Sequence, residues 1–345
     1  MVEKSKEEEV KALVLLSGGL DSILAAKIVN DQDLLLQGVS FKNGFSTGAE
    51  NRQAQLAGKE IGIEVETVEL PDSYLKIIKS PHHGRGSAIN PCLDCRIYML
   101  NHARKYMKEH GYDFVVTGEV LGQRPMSQHR QGLELVEKKS GLEGLLLRPL
   151  SAKLLAETIP EKEGWVDREQ LFEIQGRSRS RQLELAEEYG LEEFDQPAGG
   201  CLLTEEEYGH RVEEAFEHKG KDFMAREDFD LLKHGRHFRL PEGSKAIVGR
   251  DEDENQQLAE LAGKHWKLEV KNHPSPLTLV SPEASHKDLQ LAARLTARYS
   301  DGRGEEEVLV DCEGGRDRGS ELNEEKVSPL SPDDPLIEEL RISSS

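Results

Sequence analysis

The sequence predicts an α/β protein in which a parallel sheet, covered by helices on both faces, is followed by a smaller α+β domain. Three observations carry this reading. Up to about residue 120, runs of strand length alternate with stretches whose apolar residues recur at helical spacing. Beyond about residue 216 a different pattern of short strands and helices begins, and from Glu313 onward Gly, Ser, Pro and acids dominate. No apolar run approaches the roughly 18 residues that a membrane span needs.

The elements follow in order. Residues 12–16 ("ALVLL") read as a buried strand and 20–30 as a helix. "LLLQGVSF" (34–41) is a second strand, and "AENRQAQLAGKEIG" a helix that Gly62 can stop. "IEVETVEL" alternates as a third strand, "CLDCRIYMLNHARKYMKEHG" is a helix ending at Gly111, and "YDFVVTGEV" is the next strand. The expected organisation is a nucleotide-type domain over 1–150, a helical region over 151–215, an α+β domain over 216–312 and a disordered acidic tail over 313–345. Internal repeats are not seen.

The 345-residue chain carries a formal charge of −20, which taken alone argues against a nucleic-acid partner, since phosphate binding needs basic surface. The charge is uneven: residues 301–345 hold 14 acids against 5 bases. Basic stretches survive elsewhere, such as Arg177, Arg179 and Arg181 in "QGRSRSRQ", although a solvated helix face explains such a run equally well. The charged start "MVEKSKEEEV" lacks the apolar core of an export signal, so the cytoplasm is expected. In that compartment the four cysteines are not expected to form a disulfide framework.

The turn "SGGLDS" sits between the first strand and helix. Gly18 and Gly19 let the backbone approach a ligand closely at a helix start, an arrangement suited to phosphate or pyrophosphate. Ser17 and Ser22 add hydroxyls. Asp21 is out of place beside phosphate unless a cation bridges them, which assigns it to Mg²⁺. The GxxxxGK[ST] pattern is missing, so no lysine is built to hold a γ-phosphate. The plain alternative is a strand-to-helix turn with a serine cap.

"SGGLDS" resembles the pyrophosphate loop (SGGxDS) of the N-type ATP pyrophosphatases, in the strand–turn–helix context of that superfamily. The resemblance implies an adenine nucleotide alpha hydrolase-like (PP-loop) fold over 1–150 that binds ATP and splits it to AMP and pyrophosphate. It also implies that Ser40 and Phe41, ending the second strand, lie near the adenine, and that Gly118 in "TGE" closes the other side of the pocket.

Cys92 and Cys95 lie three apart in "NPCLDC", and Cys201 follows a glycine pair in "PAGGCLLT". Singly, each could be a small buried hydrophobe, and no second CxxC or spaced histidine pair completes a zinc site. "NPCLDC" and "RQLELAEEYGLEEFDQPAGGC" resemble the corresponding segments of the tRNA 2-thiouridylases, with "TGE" and "AGGCLL" standing where that family has "TGH" and "SxxxCF". Two mechanisms fit this resemblance. The three cysteines could ligate a [4Fe-4S] cluster with one open iron. Alternatively, Cys201 could carry a persulfide and Cys92 resolve it. The cluster is preferred, because the persulfide route leaves Cys95 idle. Cys312, in an acidic, loop-like stretch, is read as incidental.

"AIVGRDEDENQQLAEL", "LEVKNHPSPLTLV" and "DLQLAARLTARYSDGRGEEEVLVDC" resemble the NFACT RNA-binding module. Within them Lys271, His273, Arg294 and Arg298 are candidate phosphate contacts, the two arginines sharing a helical face at i, i+4. The combined expectation is an RNA sulfurtransferase, dependent on ATP and Mg²⁺, that makes thiouridine in tRNA. Asp21, Cys92 and Cys201 are its catalytic candidates, and inorganic sulfide or a cysteine desulfurase its sulfur donor. Arg148 and Lys153 in "RPLSAK" are candidates for steadying charge or RNA, with structural ion pairing as the alternative. A ligase, amidotransferase or sulfur transferase acting on a small molecule, or a non-catalytic RNA-binding protein, would use the same features differently.

Overall fold

The computed structural model describes residues 9–46, 50–192, 194, 200–314 and 323–342. The chain divides into two units, Met1–Thr204 and Glu205–Ser345.

The first unit is built on β1 (Lys11–Leu15), whose side chains alternate between two cores. Ala12 and Val14 pack with α1 (Leu20–Asn30) and α2 (Glu50–Ile61), while Leu13 and Leu15 pack with α4 (Cys92–His110) and α5 (Arg130–Ser140). A strand buried on both faces needs apolar residues at every position, which explains the unbroken run "ALVLL". The sheet is completed by β2 (Leu35–Lys42), β3 (Val65–Glu69), β4 (Phe114–Val116) and β5 (Leu146–Leu147), in the order β3-β2-β1-β4-β5, all parallel. The short helix α3 (Leu75–Lys79) follows β3, and α6 (Ile159–Lys162) and α7 (Ser180–Tyr189) lie beyond β5. Strand order reverses direction at β1, so the crevice beyond the carboxyl ends of β1 and β4 is where such sheets bind ligands. The glycine turn and "TGE" occupy those two ends.

The second unit holds a six-stranded antiparallel sheet in the order β11-β10-β8-β9-β7-β6. Its elements are α8 (Glu206–Lys219), α9 (Arg226–Leu231), β6 (Arg236–Arg239), β7 (Lys245–Val248), α10 (Glu252–Leu261), β8 (Trp266–Val270), β9 (Thr278–Val280), α11 (His286–Arg298), β10 (Val308–Glu313), β11 (Asn323–Val327) and α12 (Pro335–Leu340).

Three expectations are corrected here. The boundary placed at 215/216 would cut α8 in two; the helix belongs to the second unit, where Tyr208 donates to the Phe229 carbonyl and Arg211 to that of Leu232. Residues 151–204 belong to the first unit and form no separate region. The tail expected to be disordered instead contributes β11, paired along β10, and α12, with Val327, Leu330, Ile337 and Leu340 buried in the core. Acidic composition masked these few apolar anchors, and backbone pairing to an edge strand does not depend on composition. Residues 315–322 and 343–345 of that tail, together with the 195–199 part of "FDQPAGGC", lie outside the described residues.

Candidate functional site

Gly19 is the N-cap of α1, with extended backbone and no side-chain cap. Ser22 Oγ instead folds the turn on itself, donating to the Gly19 carbonyl at 2.8 Å and accepting from the Ser17 amide at 3.2 Å. The two adjacent glycines differ. Gly18 has φ +83°, and a Cβ there would lie 2.6 Å from Gln53 Cβ, so the fold itself requires glycine. At Gly19, φ is −78° and a Cβ would meet nothing nearer than Ser17 Oγ at 3.6 Å. A side chain at 19 fits the protein and would obstruct only what approaches the turn.

Asp21 accepts a hydrogen bond from Gln123 Nε2 through Oδ2 at 2.8 Å, while its buried Oδ1 has no partner among the described residues. A buried, orphaned carboxylate oxygen at a phosphate-type turn fits a divalent cation by its donor chemistry. Across the crevice, the Gly118 backbone packs directly on the Asp21–Ser22 peptide. Ser40 is buried, and Phe41 is half-buried with its ring edge-on to His102 at 6.5 Å.

Glu119, adjacent to Gly118, is buried between two arginines. Arg148 Nε donates to its Oε2 at 3.0 Å, and Arg96 Nε stands 3.0 Å from Oε1 without hydrogen-bond alignment. Burial pushes this carboxyl up, but Arg96 and Arg148 outweigh burial and hold it below its usual range. Arg148 also bonds Glu137 and the Leu133 carbonyl, so it is a structural ion-pair residue rather than a free cation. Lys153 reaches the carbonyl and carboxylate of Glu169.

Arg96 lies in the first turns of α4, next to Cys95, so Glu119 ties the nucleotide crevice to the cysteine-bearing helix. Cys92 opens that helix and accepts from Asn90 Nδ2 at 3.0 Å. Cys95 accepts from the Tyr74 hydroxyl at 3.1 Å. Cys201 arrives from far along the chain: it bridges Ser46, and the Leu202 amide donates to the Phe45 carbonyl, whose ring lies 6.1 Å from that of Tyr74. The Tyr74 hydroxyl touches the Cys95 sulfur and feels Cys201 and Cys92 electrostatically. Burial first, then Cys95, Cys201 and Cys92, push the Tyr74 phenol well above its ordinary value. Burial likewise pushes the Cys95 thiol up, against the Tyr74 hydrogen bond and the charges of Arg96 and Arg124. Gln123 donates to Asp21, and the charge of the next residue, Arg124, works to lower the Cys95 pKa. None of the four cysteines forms a disulfide. Among the described residues no His, Cys, Asp or Glu group stands in ready metal-holding geometry.

Tyr74, Asn90, Arg96, Gln123 and Arg124 were not singled out from sequence. "GQRP", which follows "TGE" after Val120 and Leu121, was the available signal for two of them; nothing in the sequence pointed to Tyr74. Cys312, read as lying in a loop, instead faces the core of β10, where burial pushes its thiol up to about 12.

Residues 8–156 match the family model of the thiamine biosynthesis protein (ThiI), and residues 235–337 match that of the NFACT protein RNA binding domain. These matches support the resemblance of the first stretch to the PP-loop tRNA-thiolation enzymes and of the second to an NFACT-type RNA-binding domain. The tRNA-specific 2-thiouridylase MnmA of Campylobacter curvus is 29% identical over 119 residues, covering 32% of this chain and 35% of that protein. The MnmA of Syntrophotalea carbinolica is 27% identical over 124 residues, covering 33% and 35%. The chain thus spans about a third of the length of the curated relatives it matches. A solved 4-thiouridine synthetase–RNA complex with bound ATP aligns over 52% of this chain and 50% of that one, with 23% identity and a TM-score of 0.35.

The RNA candidates named from sequence are less available in this chain than the sequence suggests. Arg181 is ion-paired with Glu184 and Glu188, Arg179 sits at the start of α7, and Arg177 is exposed. Lys271 pairs with Glu324, and Arg294 donates to the Ser328 carbonyl, both supplied by the stretch expected to be disordered. Arg298 lies over the Tyr299 ring at 5.4 Å, and the His273 ring packs near Gly302. No helix among the described residues is long and apolar enough to cross a membrane.

Proposed function

We propose that the protein thiolates RNA, with tRNA as substrate and thiouridine as product. The observation that carries this is the Arg96–Glu119 ion pair, which joins the cysteine-bearing helix to the strand end where Gly118 packs on Asp21. In the first step a uridine carbonyl oxygen attacks the α-phosphorus of ATP, and the bond to pyrophosphate breaks. The turn at Ser17–Ser22 receives the departing pyrophosphate, and Asp21 would hold the Mg²⁺ that neutralises its charge. Hydrosulfide or a persulfide sulfur then adds to the activated carbon, the C–O bond breaks, and AMP leaves with the original oxygen.

Cys92, Cys95 and Cys201 would hold the [4Fe-4S] cluster by the donor chemistry of three thiolates, and the cluster would supply an iron site for sulfur. For Cys95 to serve as a ligand its thiol must lose the proton that burial favours, and the hydrogen bond donated by Tyr74 favours the thiolate. The unequal cysteines support a second reading. Cys92, Cys95 and Cys201 are all half-buried, but the Cys95 sulfur accepts from the Tyr74 hydroxyl and burial pushes its thiol up, which leaves a persulfide to Cys201 and its resolution to Cys92. That route leaves a Cys92–Cys201 disulfide, which an external thiol must reduce before the next turnover.

Anaerobic purification with iron and sulfide analysis, combined with nucleoside mass spectrometry of RNA from a deletion strain, tests both levels. Loss of a thionucleoside with iron bound supports the cluster. Loss with an iron-free protein transfers the chemistry to the persulfide. Unchanged thionucleosides refute the function.

A further inference from the structure

The second unit contains a pocket of about 270 Å³ lined by Arg211, Arg236, Arg250, Arg341, His237 and the single acid Glu207, among others. Four guanidiniums around one cavity are unexpected in a chain with a net charge of −20. Arg211 comes from α8 and Arg341 from the residue after α12; both lie outside the stretch that matches the RNA-binding family model. Family resemblance therefore does not describe this pocket as a whole.

Its polar atoms are incompletely satisfied. Arg211 is 6% exposed; its terminal nitrogens reach the Leu232 carbonyl and Glu207, but its buried Nε–H has no partner among the described residues. Arg341 bonds the Tyr299 hydroxyl, and its buried Nε is likewise unpartnered. Arg236 stacks on the Tyr299 ring at 4.7 Å and donates one hydrogen bond, to the Gly249 carbonyl. Buried N–H groups left unpaired cost free energy, and an anion brought to them recovers it. His237, 1% exposed, adds the opposite polarity. Its Nε2 lies 2.8 Å from the His234 carbonyl, which can only accept, so Nε2 carries the proton. Burial holds the ring neutral, leaving Nδ1 as a bare, unpartnered acceptor.

An anion alone would satisfy the arginines and leave Nδ1 unpaired. A phosphate next to a hydroxyl satisfies both, and in RNA each 3′-phosphate stands beside a 2′-hydroxyl. The volume is below the roughly 300–1,000 Å³ of pockets that enclose whole small ligands, as suits one unit of a polymer. We propose that this pocket is a ribose-phosphate subsite for an RNA strand, in which the arginines hold a backbone phosphate and His237 Nδ1 accepts from the 2′-hydroxyl. This rests on the reading of RNA as the substrate and locates a grip on it apart from the cysteines.

The test is fluorescence anisotropy on the full chain without ATP, using a labelled 12-nucleotide single-stranded RNA, DNA of the same sequence, and ribose 5-phosphate as competitor. Arg341→Gln and Arg236→Gln are used because Arg211 secures a helix-end carbonyl and its replacement risks the fold; thermal melts confirm that both variants are folded. Each variant is expected to bind RNA about 10-fold more weakly and to lower the salt-dependence slope by about 0.7, the value for one lost phosphate contact on a single strand. The DNA is expected to bind several-fold more weakly than the RNA. Variants that bind RNA like the wild type overturn the subsite and leave the RNA function standing, whereas a wild type that binds no RNA at low salt overturns both. Equal affinity for DNA and RNA removes the 2′-hydroxyl contact. Displacement of the RNA by millimolar ribose 5-phosphate from the wild type, and not from the variants, assigns the pocket to a free sugar phosphate instead.

Discussion

Replacing Gly118 with alanine would place a methyl carbon 2.4 Å from both the carbonyl carbon and oxygen of Asp21, and 2.5 Å from the Ser22 nitrogen. All three are backbone atoms at the start of α1, so no side chain can swing aside. Overpacking of this kind costs about 1–3 kcal/mol, and at about 2–4 °C per kcal/mol for a unit of this size the melting temperature should fall by about 2–12 °C. Gly19→Ala is the paired control, since its methyl would lie no nearer than 3.6 Å to any protein atom. It should melt within about 2 °C of wild type, because substitutions without a steric or polar conflict stay near 0.5 kcal/mol. The two should then differ with nucleotide. ATP and Mg²⁺ at 100 times Kd stabilise a binding protein by about 2.7 kcal/mol; the wild type should show that shift and Gly19→Ala should lose most of it. Scanning calorimetry with and without nucleotide reads both effects. A Gly118→Ala protein that melts like wild type refutes the packing, and a Gly19→Ala protein that keeps the full nucleotide shift refutes the placement of pyrophosphate at the turn.

Other expectations follow from the same geometry. Asp21→Asn should lower ATP–pyrophosphate exchange at least about 100-fold, the scale of losing one preorganised contact to developing charge; exchange within 3-fold of wild type would remove Asp21 from the metal. Glu119→Gln leaves Arg96 and Arg148 without their shared buried carboxylate, and urea titration of the intact chain should show a loss of about 3–5 kcal/mol. Alkylation with iodoacetamide followed by mass spectrometry should label Cys92 and Cys201 before Cys95 and Cys312, since Cys312 is buried and desolvation pushes the Cys95 and Cys312 thiols up, keeping both protonated. In the second unit, burial pushes Glu254 up, but Arg250 and the Gly235 and Arg250 amides outweigh it and hold its pKa at about 2 against an ordinary 4.5. The stability this carboxylate contributes is fully present above 4.5 and is lost as pH falls toward 2. Glu254→Gln should therefore flatten the fall in melting temperature across that window.

The sheet was legible because its strands are buried on both faces, and burial writes an unbroken apolar run such as "ALVLL". The glycine turn was legible because few residues can make it, although the sequence did not show that Gly18 answers to the fold and Gly19 to space for a ligand. Composition pointed to disorder in the tail, whereas β11 is held by backbone pairing along β10 and the stretch from Val327 to Leu340 by four apolar anchors. Lys271 and Arg294 looked available for the same reason, since their partners lie on that stretch. Tyr74 was illegible because its role comes from a long-range contact with Cys95 that leaves no local pattern. Glu119 stood out only as a departure from a motif, and its burial between Arg96 and Arg148 gives that departure a structural reason.

The central claim is that an oxygen activated by ATP is replaced by sulfur on RNA. It is tested most directly by incubating the anaerobically prepared protein with tRNA, ATP, Mg²⁺ and sulfide, and then measuring AMP and nuclease-released thionucleosides in the same sample. Thiouridine and AMP accumulating in a one-to-one ratio, both abolished by Asp21→Asn, is the result this account predicts. AMP formed without any thionucleoside, or thiouridine formed without ATP, would contradict it.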